Sequence, residues 1–284
     1  INNKLLFYND NIITSDIKGN IIVFSISENK IKHKFNFYRK KYKSIKKSLN
    51  LIFEKNIIYA SDNLGYLYAY DLTNFKILWA KNYKIPFRSN LKILDNKLMA
   101  ASQNNNLYFF NKIDGGILKL IPTEETIITN KFINNLSLSN NNLFFLNNYG
   151  SLYSVNIKQM KINWFMNLNR SSGLNQNNLF LGGQILNYNN IIIVNTNNNT
   201  YGIDARNGSI LYKKNFSYNA RPIIVNNFVF LVTQNKFLIA MKLSNGEIIY
   251  SYDVSKEIPK KIKYSKAETF DYLMMLNNQL YLFF

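Results

Sequence analysis

Six near-copies of one short pattern run through this chain with little or no gap between them, and this repetition constrains the fold more than any other feature. Gly65 to Trp79 reads GYLYAYDLTNFKILW, Gly150 to Trp164 reads GSLYSVNIKQMKINW, Asn198 to Tyr212 reads NNTYGIDARNGSILY, and Lys236 to Tyr250 reads KFLIAMKLSNGEIIY. Weaker copies are GNIIVFSISENKIKH from Gly19 to His33 and NNLYFFNKIDGGILK from Asn105 to Lys119. Each reads as a turn residue, a strand, a tight turn and a shorter strand that ends on a large side chain. Taking the turn positions as 19, 65, 105, 150, 198 and 236, the mean spacing is about 43 residues. A period near 40–45 with four short strands per unit marks a β-propeller blade. One four-stranded sheet cannot bury both of its faces, whereas radial stacking buries each sheet between two neighbours and lets its inner strands be apolar on both sides.

Short runs of β-branched and aromatic residues bounded by Asn, Asp, Ser and Gly supply the remaining strands. The first repeat is predicted over 4–37, with strands at Leu5–Tyr8, Asn11–Ser15, Ile21–Ile26 and Ile31–Phe35. The second adds Leu49–Phe53 and Ile57–Ser61 ahead of its copy of the pattern. The third begins at Leu91–Leu94 and Lys97–Ser102, the fourth at Leu136–Ser139 and Asn142–Asn147. The fifth occupies Ile185–Phe216 and the sixth Ile223–Val254. Tyr272–Leu276 and Gln279–Phe284 start a seventh that is not finished, so seven or eight blades are expected of the intact protein. No stretch sustains a 3.6-residue apolar period, so helices are not expected. The expectation is an all-β, single-domain propeller of four-stranded antiparallel blades over 1–284.

The formal charge of +19 comes from 35 Lys and Arg against 16 Asp and Glu. Such a balance favours anionic partners, yet no aromatic-plus-basic nucleic-acid motif appears, so nucleic acid is not expected. The basic connectors at 38–48 (YRKKYKSIKKS) and 255–266 (SKEIPKKIKYSK) admit two readings: solvated loops, or contacts with phosphates or lipid headgroups. The absence of Cys excludes disulfides, thiolate metal sites and a cysteine nucleophile within this sequence. His33, the only histidine, stands where the strong repeats carry Trp79 and Trp164, which makes it a packing residue without a second ligand or base beside it. Glu124 and Glu125 are adjacent, so in an extended segment they face opposite sides and form no acid/base pair. The sequence begins at Ile1 and shows no apolar leader, as expected of a segment cut from a longer precursor, from which a signal peptide or a lipid-attachment Cys could have been lost.

The pattern Gly-x-hydrophobic-Tyr-Ala-hydrophobic-Asp-x-x-x-Gly-x-hydrophobic-hydrophobic-Trp, carried best by Gly65, Tyr68, Ala69, Asp71 and Trp79, resembles the repeat of the quinoprotein-like (PQQ-like) propellers. In that family the closing Trp docks onto the neighbouring blade. The resemblance gives this role to Trp79, Trp164, Tyr212 and Tyr250, while His33 and Lys119 depart from it. One branch consists of quinone-cofactor dehydrogenases with calcium ligands and a catalytic Asp; Asp71 and Asp204 sit instead at repeat positions that serve turns. The other branch is a non-catalytic scaffold. The run from PFRS (Pro86–Ser89) through GSLY (Gly150–Tyr153) and NW (Asn163–Trp164) to DARNG (Asp204–Gly208) looks like the BamB-like proteins of alphaproteobacteria.

That second resemblance implies a protein without cofactor on the periplasmic face of the outer membrane, held there by a lipid anchor outside this sequence. Its implied partners are the periplasmic domains of the β-barrel insertase and unfolded outer-membrane proteins. The family's contact uses the connectors that enter the fourth and fifth blades. The matching positions here are Ile127, Ile128 and Lys131, then Leu179 and Leu181. Lys131 replaces an Arg and loses its planar fork. Ile127 and Ile128 read equally well as the start of a strand. The alternative implied by the repeat is a dehydrogenase-type propeller dependent on a quinone.

Overall fold

A computed structural model describes residues 5–125, 133–169, 180–257, 270 and 272–283. The chain divides into two compact units, Ile1–Thr129 and Asn130–Phe284.

The first unit holds three four-stranded antiparallel sheets in which sequence neighbours pair. Leu6–Tyr8, Asn11–Ser15, Asn20–Ser25 and Lys30–Asn36 (β1–β4) form the first. Leu49–Glu54, Ile57–Asp62, Tyr66–Asp71 and Lys76–Asn82 (β5–β8) form the second. Lys92–Leu94, Lys97–Ala101, Leu107–Asn111 and Ile117–Ile121 (β9–β12) form the third. In the second unit, Asn135–Ser139, Asn142–Leu146, Ser151–Asn156 and Lys161–Asn167 (β13–β16) make the fourth sheet. Leu186–Tyr188, Ile191–Asn195, Thr200–Asp204 and Ile210–Lys214 (β17–β20) make the fifth. Ile223–Val225, Phe228–Val232, Phe237–Lys242 and Ile248–Asp253 (β21–β24) make the sixth. Tyr272–Leu276 and Gln279–Phe283 (β25–β26) pair as a hairpin. Short 3-10 turns occur at Lys40–Tyr42 and Val254–Glu257, and no described helix is long and apolar enough to cross a membrane.

The second and third strands of each sheet are its most buried. In β7, Leu67, Tyr68, Ala69 and Tyr70 are all buried, because the second sheet has a neighbour on each face. On one side Tyr68 and Tyr70 pack with Ile13, Ile21 and Ile58 of the first two sheets. On the other, Leu67 and Ala69 pack with Leu98, Ala100 and Phe110. The second unit repeats the arrangement, with Phe144, Leu152, Val194 and Ile203 between the fourth and fifth sheets and Ile193, Leu231 and Met241 between the fifth and sixth.

The fourth strand of every sheet carries a bulge at the same place. In β8, Trp79 pairs with Ala69 and Ile77 with Tyr70, so Leu78 is the extra residue. The register shifts equivalently beside Val23, Phe109, Ser154, Gly202 and Ala240. A bulge re-aims the next side chain. Here Ile77 and Leu78 are left exposed while Trp79 is half-buried against the third sheet. Strand bounds fall within about two residues of expectation, except that β8 runs on past Trp79 to Asn82.

Candidate functional site

The docking positions have a common geometry. Trp79 donates its indole N–H to the Lys112 carbonyl at 3.0 Å, and its ring covers Gly115. Trp164 donates to the Ala205 carbonyl at 3.1 Å and covers Gly208. Tyr212 lies against Gly246 in the same way. The covered glycines have φ of +72°, +79° and +67°, a left-handed turn that side chains other than Gly and Asn adopt at a cost. The residue opposite each ring across the bulge is small: Ala69, Ser154 and Gly202.

His33 breaks both halves of this rule. Its cross-strand partner is Val23, and the left-handed turn of the second sheet holds Phe75, φ +51°, where the third, fifth and sixth hold Gly. The imidazole packs on Phe75 at a 4.3 Å centroid distance and its Nε2 shares a 2.6 Å hydrogen bond with the Tyr70 hydroxyl. Burial holds its pKa below the ordinary histidine value. Tyr250 is 51% exposed and stacks on Tyr252, with no turn of a following sheet against it among the described residues.

Of the candidate partner contacts, Ile127, Ile128, Lys131 and Leu179 lie outside the described residues. Leu181 is half exposed, and its N–H donates to Asn197 Oδ1 at 2.7 Å. Its neighbour Phe180 turns inward and is buried with Phe144, Leu152 and Leu168. Asn195 braces the segment from below, accepting the Gly183 N–H at 2.5 Å and donating to Ser217 Oγ and the Tyr218 carbonyl. This alternation presents Leu181 to solvent on a fixed backbone. Asn195 was not distinguishable in the sequence, because one Asn among many carries no signal until its loop folds over it.

The first basic connector is less solvated than either reading expected. Lys47 is buried, donates from Nζ to the Tyr42 carbonyl and sits 5.2 Å from the centre of the Tyr38 ring. The Tyr38 hydroxyl donates to Asp62 Oδ2 at 2.5 Å, while Asp62 Oδ1 accepts the Leu64 and Tyr66 N–H groups at 2.8 Å. Burial raises the Asp62 pKa despite those bonds, and raises that of Tyr38. Lys43 and Lys46 remain exposed.

The recurrent acids are engaged locally. Asp71 accepts the Thr73 N–H at 2.7 Å, and Asp204 binds the Arg206 guanidinium through both oxygens. These bonds hold both carboxyls below the usual range. No group of three His, Cys, Asp or Glu side chains suited to a metal occurs among the described residues.

Six repeated four-stranded antiparallel meanders, with Trp79, Trp164 and Tyr212 each seated on the turn of the following sheet, define a β-propeller of the PQQ-like repeat class. A family model described as "Outer membrane protein assembly factor BamB" matches residues 47–252, and the chain belongs to that family. The fold is similar to that of BamB from Moraxella catarrhalis, with TM-score 0.72 and 11% identity over 98% of this chain and 92% of that one. It is also similar to the computationally designed Ika8 protein, with TM-score 0.62 and 10% identity over 98% and 91% of the two chains. The β-propeller domain of Myceliophteria thermophila Cps50 (Swd1) aligns with TM-score 0.59 and 11% identity over 95% and 87%. No curated protein matches the chain by sequence.

Proposed function

We propose that this protein is a non-catalytic scaffold of the outer-membrane β-barrel assembly machinery. It works at the periplasmic face of the outer membrane, docks on the periplasmic domains of the barrel insertase and assists the insertion of unfolded outer-membrane proteins. The observation that carries this reading is the family match, which runs from the start of the second blade to the end of the sixth. The braced, outward Leu181 supports it, since an exposed aliphatic side chain on a rigid backbone suits the core of a protein interface. Ile127, Ile128, Lys131 and Leu179 are proposed as further partner contacts.

The test is association of the purified chain with the cognate insertase domains. Binding at micromolar concentration is expected, weakened about tenfold or more by Leu181→Asp, because a carboxylate in an apolar interface loses its water. No detectable association would sink the scaffold reading. Dye-linked alcohol or sugar oxidation after addition of a quinone cofactor and calcium would replace it with the dehydrogenase.

A further inference from the structure

The socket that seats Trp79 on the third blade has a counterpart between the first and second blades. Its blade-one wall is Ile13, Asn11 and Val23, the repeat equivalents of Tyr59, Ile57 and Ala69 around Trp79. Its blade-two wall is Asn56, Leu72, Thr73 and Phe75, equivalent to Asn96, Lys112, Ile113 and Gly115. The equivalence is fixed by a shared backbone bond, Leu72 N–H to the Asn56 carbonyl in one and Lys112 N–H to the Asn96 carbonyl in the other. In the third blade the socket is filled by an indole. In the second it receives only an imidazole, which is tied to Tyr70.

A half-open pocket of about 220 Å³ remains, lined by these residues with Tyr8, Lys32 and His33. An apolar cavity of about 150 Å³ already accepts benzene. The carbonyl of Leu72 holds the position of Lys112, which takes the Trp79 N–H in the next socket.

We propose that this socket binds one planar aromatic ring bearing an N–H or O–H donor, an indole or a phenol, taken from a small molecule or from a side chain of another polypeptide. The ring stacks against Phe75 and His33, and its donor reaches the Leu72 carbonyl. The idea is independent of the scaffold reading, since it rests on the internal repeat and the pocket.

The experiment is NMR titration of the intact chain with 5-fluoroindole and, separately, with an acetylated, amidated Gly-Trp-Gly peptide. Saturable binding with intermolecular NOEs to His33 and Phe75 is expected from at least one probe, and the tighter of the two names the source. 5-Fluorobenzothiophene, which lacks the N–H donor, should bind about three- to tenfold more weakly than 5-fluoroindole, the worth of one hydrogen bond. The triple variant Val23→Ala/His33→Trp/Phe75→Gly rebuilds the trio formed by Ala69, Trp79 and Gly115 and should abolish it. Undiminished binding by a folded triple variant would overturn the proposal, as would no binding of either probe at millimolar concentration. Should the triple variant fail to fold, NOEs in the native chain that miss His33 and Phe75 overturn it equally.

Discussion

Trp79 covers Gly115 so closely that a Cβ on the glycine would stand 2.6 Å from the indole ring. The contact joins the outer strand of the second blade to the left-handed turn of the third, and the same pairing recurs for Trp164 with Gly208 and Tyr212 with Gly246. A bulky docking residue and a turn glycine in the next blade therefore come as a set. Where the docking residue shrinks to His33, the turn keeps Phe75.

Trp79→Ala is expected to cost about 3 kcal/mol, the usual range for emptying such a site. Gly115→Ala should cost about 2–4 kcal/mol through overlap with the ring and through a Cβ in a left-handed turn. The double variant should cost less than the two together, because removing the indole removes the overlap. Urea unfolding of the four proteins measures this, and strict additivity would show that the two residues do not meet.

Asp62 carries a pH signature. Its folded pKa is raised above the ordinary 3.8, so the folded state binds its proton more tightly than the unfolded state does. The Asp62 contribution to stability is therefore fully present below pH 3.8 and is lost as pH rises through the higher folded pKa. Asn147, at the equivalent turn of the fourth blade, accepts the Tyr149 and Ser151 N–H groups at 3.0 Å without a charge. Asp62→Asn should leave neutral-pH stability within about 1 kcal/mol and remove that part of the pH dependence. Thermal unfolding from pH 4 to 7 checks it; an unchanged pH profile would count against a buried, titrating Asp62.

Lysines of the first basic connector should not behave alike. Lys47→Ala removes a buried stem and a donor and is expected to cost about 2 kcal/mol. Lys43→Ala, at an exposed position, should fall within about 0.5 kcal/mol. Equal effects in chemical denaturation would contradict the burial of Lys47.

His33 gives a direct probe, since it is the only histidine. Desolvation lowers its pKa below 6.5, so its contribution to stability is present above that value and is lost as pH falls through the folded pKa. Its ring-proton NMR shift should titrate with a midpoint under 6.5. A midpoint above 6.5 would show a solvated or acid-paired ring instead.

Much of the architecture was legible because a blade is written twice over, once in its own alternation and once in its copies. The Tyr66–Asp71 strand and the turn after Asp71 stand where the repeat placed them, while the strand expected to close at Trp79 runs on to Asn82. The bulge at Leu78 was not legible, since an extra residue in a short strand leaves no composition signal. Nor was the inward Lys47, which looks like its exposed neighbours until Tyr38 and Tyr42 close over it. Of the candidate contact residues, the structure describes Leu181, and its exposure follows from Phe180 being drawn inward.

Local information determined this protein's blade, because period, turn residues and strand propensity act over a few tens of residues and every copy repeats them. Whether a docking position is filled depends on two residues some forty positions apart, one in each neighbouring blade. Trp79 is seated because Gly115 leaves room for its ring, and His33 leaves a pocket because Phe75 occupies that place while the imidazole is too small to fill the rest. That decision belongs to close packing across two sheets, and only the tertiary structure brings the two residues together.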